Sequence, residues 1–210
     1  MPHSQRIAEL LLNIGAVKLS VDPPFTWTSG IRSPIYCDNR MLYSHPDARE
    51  FVVQALTNRV GNLHIPPDVI AGTATAGIGW AALVADRLHL PLVYIRHKSK
   101  EYGAGKCVEG DLPPEKHVAI VEDLLSTGGS AVRSVEILRT EGKAYVTDVV
   151  AIFSYELLSC GEKAQEARVK FHTLSTLEIL LDVALGQGRI TEEERDMASE
   201  FAKDPEHWKK

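Results

Sequence analysis

Apolar residues along this chain fall into short blocks, and the spacing within each block predicts strands and helices in alternation. Four stretches read as strands, Asp68 to Ala71, Leu92 to Ile95, Val118 to Val121 and Tyr145 to Phe153, and Leu92 to Ile95 and Val118 to Val121 are apolar throughout. A strand buried on both faces of a parallel sheet has this signature. Between them lie helical patterns. Ser4 is placed to cap a helix carrying Ile7, Leu10, Leu11 and Ile14, which ends near Gly15. Ser44 to Gly61 reads as a helix with Pro46 in its first turn, Phe51, Val52, Ala55 and Leu56 inward, and Gly61 as its cap. Further helices are expected over Trp80–Leu88, Ala131–Glu141 and Ser159–Lys170. Ser175-Thr176-Leu177-Glu178 reads as a capping box for a helix to about Leu185, and Thr191 with Glu194 opens a last one. Phe25 to Arg40 has aromatic and β-branched residues around Ser29-Gly30 and a Ser33-Pro34 turn, the pattern of a short hairpin. The prediction is an α/β fold: a central parallel sheet flanked by helices with right-handed crossovers. One domain, residues 1–210, carries it, with the hairpin in a small added segment (about residues 20–42).

The chemistry gathers at HVAIVEDLLSTGGSAV, His117 to Val132. Its apolar run is expected to stop at Glu122 and Asp123, because buried charge without partners is costly. Ser126-Thr127-Gly128-Gly129-Ser130 then forms a tight turn into a helix, whose first N–H groups lack partners and face whatever anion sits there. A Walker-type nucleotide site would need a Lys after the glycines, and a dinucleotide site would need G-x-G-x-x-G after the first strand; neither is present. Two carboxylates beside a phosphate cradle suit neighbouring hydroxyls, through hydrogen bonds from a ribose diol or through a bound metal.

Two more stretches join this one. Gly72 to Gly79, GTATAGIG, is a second Gly-rich strand-to-helix turn, and in a parallel sheet it stands beside the first as a second anion loop. Arg96 to Lys116 contains five Lys or Arg, three Gly and a Pro-Pro, with little periodic apolar content. On composition alone it reads as a solvated, mobile loop; starting where a parallel strand ends, it is also placed to act as a basic flap that covers an anionic ligand and excludes water. Arg32 and Arg40 bracket the hairpin, and a guanidinium suits a planar carboxylate.

Composition narrows the partners. The net charge of −5 argues against nucleic acid, and no apolar run approaches the ~20 residues of a membrane span. The N-terminus lacks a signal-peptide pattern. Cys37, Cys107 and Cys160 are odd in number and far apart, which suggests neither a disulfide framework nor a zinc site. A reduced, cytoplasmic setting is the expectation.

VAIVEDLLSTGGSA closely resembles the phosphoribosyl diphosphate (PRPP) signature of type I phosphoribosyltransferases, and in detail that of the orotate phosphoribosyltransferases. FTWTSGIRSPIYCDNR resembles the hood segment of the same family. The resemblance implies transfer of the phosphoribosyl group from PRPP to orotate, with Mg²⁺ held mainly through PRPP rather than by a protein metal site. It implies a homodimer in which the flap of one subunit closes over the cradle of the other. Asp123, Glu122 and Lys100 become the expected catalytic residues. PRPP is expected to meet Arg96, Lys100, Tyr102, Glu122, Asp123, Leu124, Leu125, Ser126, Thr127, Gly128, Gly129 and Ser130. Its diphosphate is expected on Thr73, Ala74, Thr75, Ala76 and Gly77, and orotate against Ser126, Arg32 and Arg40. The chain departs from many members of the family at Thr28 (Lys there), His97 (Lys) and Tyr102 (His). Thr75-Ala76 stands where some have Tyr-Lys, which leaves that loop to its backbone N–H groups. Tyr155-Glu156 stands where one branch has an Arg for orotate. Two other readings share the fold: a purine-type phosphoribosyltransferase, and a PRPP-sensing DNA-binding regulator, which would need an added basic helix-turn-helix.

Overall fold

A computed structural model describes residues 3–27, 30–97 and 106–208. In chain order its elements are α1 (His3–Asn13), β1 (Val17–Leu19), β2 (Phe25–Thr26), β3 (Arg32–Ser33), β4 (Ile35–Cys37), a 3₁₀ turn (Asn39–Ser44) and α2 (Pro46–Gly61). Then follow β5 (Val69–Thr73), α3 (Ala76–Leu88), β6 (Leu92–Ile95), β7 (Val108–Glu109), β8 (His117–Leu125) and α4 (Gly129–Thr140). β9 (Tyr145–Ser154), α5 (Leu158–Glu166), β10 (Lys170–Thr176), α6 (Leu177–Gly186) and α7 (Glu192–Lys203) complete the chain.

Six strands form the central sheet in the order β10-β9-β8-β5-β6-β7, parallel except for β7 at one edge. The continuous apolar runs are the middle of it: every residue of β5 is buried, as are Val118 to Val121 of β8 and Val149 to Phe153 of β9. Helices cover both faces, as a parallel sheet requires. β8 lies between β5 and β9, so the loops that follow β8 and β5 emerge side by side at the carboxyl edge. That edge is where ligands of open α/β sheets sit.

Five expectations need correcting. β8 does not stop at the acids; it runs through Glu122 and Asp123 to Leu125, because β9 continues the ladder beside it with Glu122 opposite Ala151 and Leu125 opposite Ser154. The hood is not one hairpin. β2 pairs with β3, whereas β4 turns away after Pro34 and pairs with β1. Residues 170–176, expected as a helix end and a cap, form the edge strand β10 against β9. The capping box there is absent: Thr176 alone caps α6, accepting from the Ile179 N–H at 3.4 Å, while Ser175 belongs to the strand. In the stretch expected as an open flap, Cys107 and Val108 donate their N–H groups to the Glu141 carboxylate, and β7 pairs with β6. The capping box of α7, Thr191 with Glu194, forms as the sequence predicts.

The hood is pinned to the C-terminal helices by aromatic packing. Trp27 stacks on Tyr155 with centroids 5.2 Å apart, meets Phe201 edge-on at 5.5 Å, and donates its indole N–H to the Ile35 carbonyl at 3.2 Å. Tyr155, which stands where one branch carries Arg, is therefore a buried support for the hood.

Candidate active site

β8 delivers Glu122 and Asp123 to the carboxyl edge of the sheet, Leu124 and Leu125 complete the strand, and Ser126 to Gly128 turn into α4. Leu125 is buried and its carbonyl accepts from the Tyr155 N–H at 3.1 Å, so only its backbone stands near the turn. Gly128 needs to be glycine twice over. Its φ is +74°, and a Cβ there would stand 3.1 Å from Cys160 Sγ. Gly129 and Ser130 open α4, and their N–H groups, like those of any first turn, have no partner within the helix. The turn is held from below by Lys163 of α5, whose Nζ donates to the Thr127 carbonyl at 3.0 Å.

On the neighbouring strand, Thr73 ends β5, Ala74 and Thr75 form the turn, with a cis peptide between them, and Ala76 and Gly77 begin α3. This second loop therefore also opens a helix at its N-terminus, beside the first.

The two acids differ in state. Glu122 is 5% exposed, and burial, followed by the charge of Asp123, pushes its carboxyl up to about 8; the Thr73 hydroxyl, bonded to it, only partly offsets this. Asp123 is also raised by burial, but backbone N–H groups and the Arg40 charge oppose the rise. With its carboxyl pushed up to about 8, Glu122 holds its proton near neutral pH. β8 can therefore run through both residues, since the more buried of the two side chains enters the sheet uncharged.

A hydrogen-bonded chain leads away from Glu122. Thr73 Oγ1 is 3.2 Å from Ser134 Oγ on α4, which is 3.0 Å from His97 Nε2, and Arg133 donates to the His97 carbonyl at 2.7 Å. Burial and the nearby Arg133 charge hold the His97 ring below the usual histidine range, so it is neutral at pH 7. His97 thus ties the start of the Arg96–Lys116 stretch to both loops.

The predicted cations are differently placed. Arg96 follows β6 and pairs with Glu109 at 3.0 Å. Arg40 is exposed and bidentate to Asp38 at 2.7 and 2.8 Å, a pairing that holds the Asp38 carboxyl below the usual carboxylate range. Its charge still reaches Asp123. Arg32 is exposed on β3. Lys100, Tyr102 and Thr28 lie outside the described residues. Sequence reasoning passed over Asn39, Tyr43, Ser134 and Lys163, which support the loops rather than line them. A cavity of about 390 Å³ lies one strand over, walled by Leu125, Ser154, Cys160 and Phe171; it sits behind the phosphate turn, away from the acids.

No cluster of three or more His, Cys, Asp or Glu side chains able to hold a metal occurs among the described residues. A Glu–Asp step of this kind fits a Mg²⁺ that takes most of its oxygens from a phosphorylated substrate and not one caged by protein.

Two adjacent helix-opening loops beside a buried pair of acids have the chemistry that suits a phosphorylated, hydroxyl-bearing ligand at the edge of a parallel sheet. The family model for the phosphoribosyl transferase domain matches residues 39–183. A relative from Coxiella burnetii named orotate phosphoribosyltransferase is 44% identical over 99% of both chains. Among solved structures, orotate phosphoribosyltransferase from Aeropyrum pernix superposes with a TM-score of 0.74 at 32% identity, covering 87% of this chain and 99% of its own. Leishmania donovani UMP synthase gives a TM-score of 0.80 at 26% identity over 95% of this chain, which spans only 42% of that protein. The chain belongs to the phosphoribosyltransferase family, within its orotate phosphoribosyltransferases.

Proposed function

We propose that this protein transfers the 5-phosphoribosyl group of PRPP to orotate, giving orotidine 5′-monophosphate and diphosphate in pyrimidine (UMP) synthesis. The observation that carries this reading is the Glu122–Asp123 step set between two helix-opening anion loops on neighbouring strands, in a chain that matches orotate enzymes along its length. The backbone N–H groups of Thr127, Gly128, Gly129 and Ser130 receive the 5′-phosphate, with the α4 dipole behind them. Glu122 and Asp123 lie under the ribose hydroxyls. The loop Thr73–Gly77 receives the diphosphate through its backbone N–H groups.

The reacting bond is the one between C1′ of the ribose and the diphosphate oxygen. As it lengthens, both electrons leave with the diphosphate and positive charge grows on the ribose ring; a ring nitrogen of orotate closes on C1′ and gives up its N–H proton to solvent. Asp123, charged in a site that is largely shielded from water, stabilises that developing charge. Glu122 carries a proton near pH 7 and serves as a donor or acceptor to a hydroxyl without adding a second charge. Arg96 and Lys100 hold the leaving group, for which Arg96 exchanges its Glu109 partner. Glu122 and Asp123 are the residues that would reach a Mg²⁺ brought in with PRPP, and that ion would supply neutralisation of the diphosphate charge. Ser126, Arg32 and Arg40 face orotate, Arg40 by trading Asp38 for the substrate carboxylate. The working assembly is a cytoplasmic homodimer with shared sites. No described helix is long and apolar enough to cross a membrane.

The test is turnover with PRPP and a panel of bases, followed by diphosphate release. Orotate is expected to be accepted, and adenine, hypoxanthine and uracil refused. Turnover of one of those bases without orotate would reassign the chain to another branch of the family.

A further inference from the structure

The 3₁₀ turn Asn39–Ser44 touches both halves of the site. At its start Asn39, 1% exposed, donates from Nδ2 to the main-chain carbonyl of Asp123 at 2.7 Å and accepts at Oδ1 from the Cys37 thiol at 3.2 Å. The last β5–β8 pair is Gly72 with Val121, so on that side the Asp123 carbonyl lies beyond the ladder. Asn39 supplies the donor that the sheet does not. Four residues on, the Tyr43 hydroxyl donates to the carbonyl of Ala76, in the second anion loop, at 2.6 Å. The Tyr43 ring stacks on Trp80, with centroids 4.5 Å apart and planes 18° from parallel, and Trp80 is fully buried. Arg49 donates to the Tyr43 carbonyl at 2.7 Å. A Cβ on residue 79 would stand 2.6 Å from the Tyr43 hydroxyl oxygen, so Gly79 leaves the space that this hydroxyl fills.

We propose that Asn39 and Tyr43 are positioning residues for the transfer reaction, and that the turn bearing them fixes the second anion loop relative to the acid step of β8. This rests on the site reading given under Proposed function. The two contacts act on different stages. Tyr43 works through Ala76 on N–H groups that hold the diphosphate alike in bound PRPP and in the transition state, so losing it weakens binding uniformly. Asn39 works through Asp123, whose charge matters most as the ribose becomes positive, so losing it slows the chemical step.

Steady-state kinetics separate these effects. The measurements are kcat, KM for PRPP and Ki for inorganic diphosphate, with Tm for every variant and assays run well below the lowest Tm. Tyr43→Phe keeps the stack on Trp80 and removes only the hydroxyl; Gly79→Ala keeps the hydroxyl and displaces it. Both are expected to raise KM for PRPP and Ki for diphosphate by about two- to tenfold, the factor one neutral hydrogen bond carries, with kcat within about twofold. Asn39→Ala is expected to lower kcat by about tenfold or more and leave the diphosphate Ki unchanged. Should Asn39→Ala not fold, Asn39→Ser, whose hydroxyl is too short to reach Asp123, carries the same expectation. Asp123→Asn serves as the control on the site itself. An impaired Asp123→Asn beside variants of Tyr43, Gly79 and Asn39 that change only Tm overturns the clamp and leaves the site reading standing. A parent-like Asp123→Asn overturns both.

Discussion

Replacing Glu122 by Gln changes how stability depends on pH, and the direction follows from burial. The carboxyl is 5% exposed, lies beside Asp123 and titrates at about 8, against 4.5 for an ordinary glutamate. Between those values the native protein holds a proton that the unfolded chain has released. Stability therefore falls as pH rises through this window: the contribution of the raised group is complete below about 4.5 and is lost towards 8. One proton sets a slope of at most ~1.4 kcal/mol per pH unit. Over the whole window that amounts to several kcal/mol, comparable with the net stability of many domains. Gln matches the neutral carboxyl in shape, still reaches Thr73, and does not titrate. Urea unfolding of parent and Glu122→Gln at pH 5, 6, 7 and 8, without substrate, isolates the term. The variant is expected to gain on the parent by roughly 1 kcal/mol per pH unit across this range. Two curves that stay parallel would refute the reasoning, since Glu122 would then titrate alike in the folded and unfolded chain. At pH 7 the same variant is expected to keep most of its activity, because the proton it mimics is already present.

Asp123→Asn removes the carboxylate proposed to face the ribose and is expected to lower kcat about 100–1,000-fold, the ~2.7–4 kcal/mol that loss of one transition-state electrostatic contact commonly costs. A rate within about threefold of the parent would remove Asp123 from the mechanism. Shared sites are tested by subunit exchange between Asp123→Asn and Lys100→Ala, each inactive alone. If flap and cradle belong to different subunits, each mixed dimer regains one intact site and activity returns; activity no higher than the sum of the parents after confirmed exchange rules sharing out. Lys163→Met, which removes the donor to the Thr127 carbonyl at 3.0 Å, is expected to raise KM for PRPP about two- to tenfold with kcat little changed. An unchanged KM would show that the phosphate turn does not need that support.

The parts of this protein that sequence reveals are those whose physics is local. A continuous apolar run of four residues between turns suits a buried parallel strand; β6, β8 and β9 each contain such a run, and β5 a run of three before Gly72. The Gly-rich turns were equally plain, because a strand-to-helix turn with a residue at φ +74° calls for glycine. β10 was missed because KFHTLST alternates only weakly: its residues are mostly half-buried, and an edge strand under α1 needs no strong pattern. The extension of β8 through Glu122 and Asp123 was missed for a different reason. The rule that buried charge ends a strand holds for charge, and here one of the two carboxyls keeps its proton while Thr73, from another strand, bonds to it. Neither fact is local. The same applies to Asn39 and Tyr43. They belong to a stretch of polar and aromatic residues with no periodicity, and their partners lie 84 and 33 residues away. The groups proposed to bind substrate are largely backbone at strand ends, which sequence marks with glycine and small residues. What sets the positions of those strand ends relative to one another is a handful of side chains in the hood, whose role depends on contacts that only the folded chain brings together.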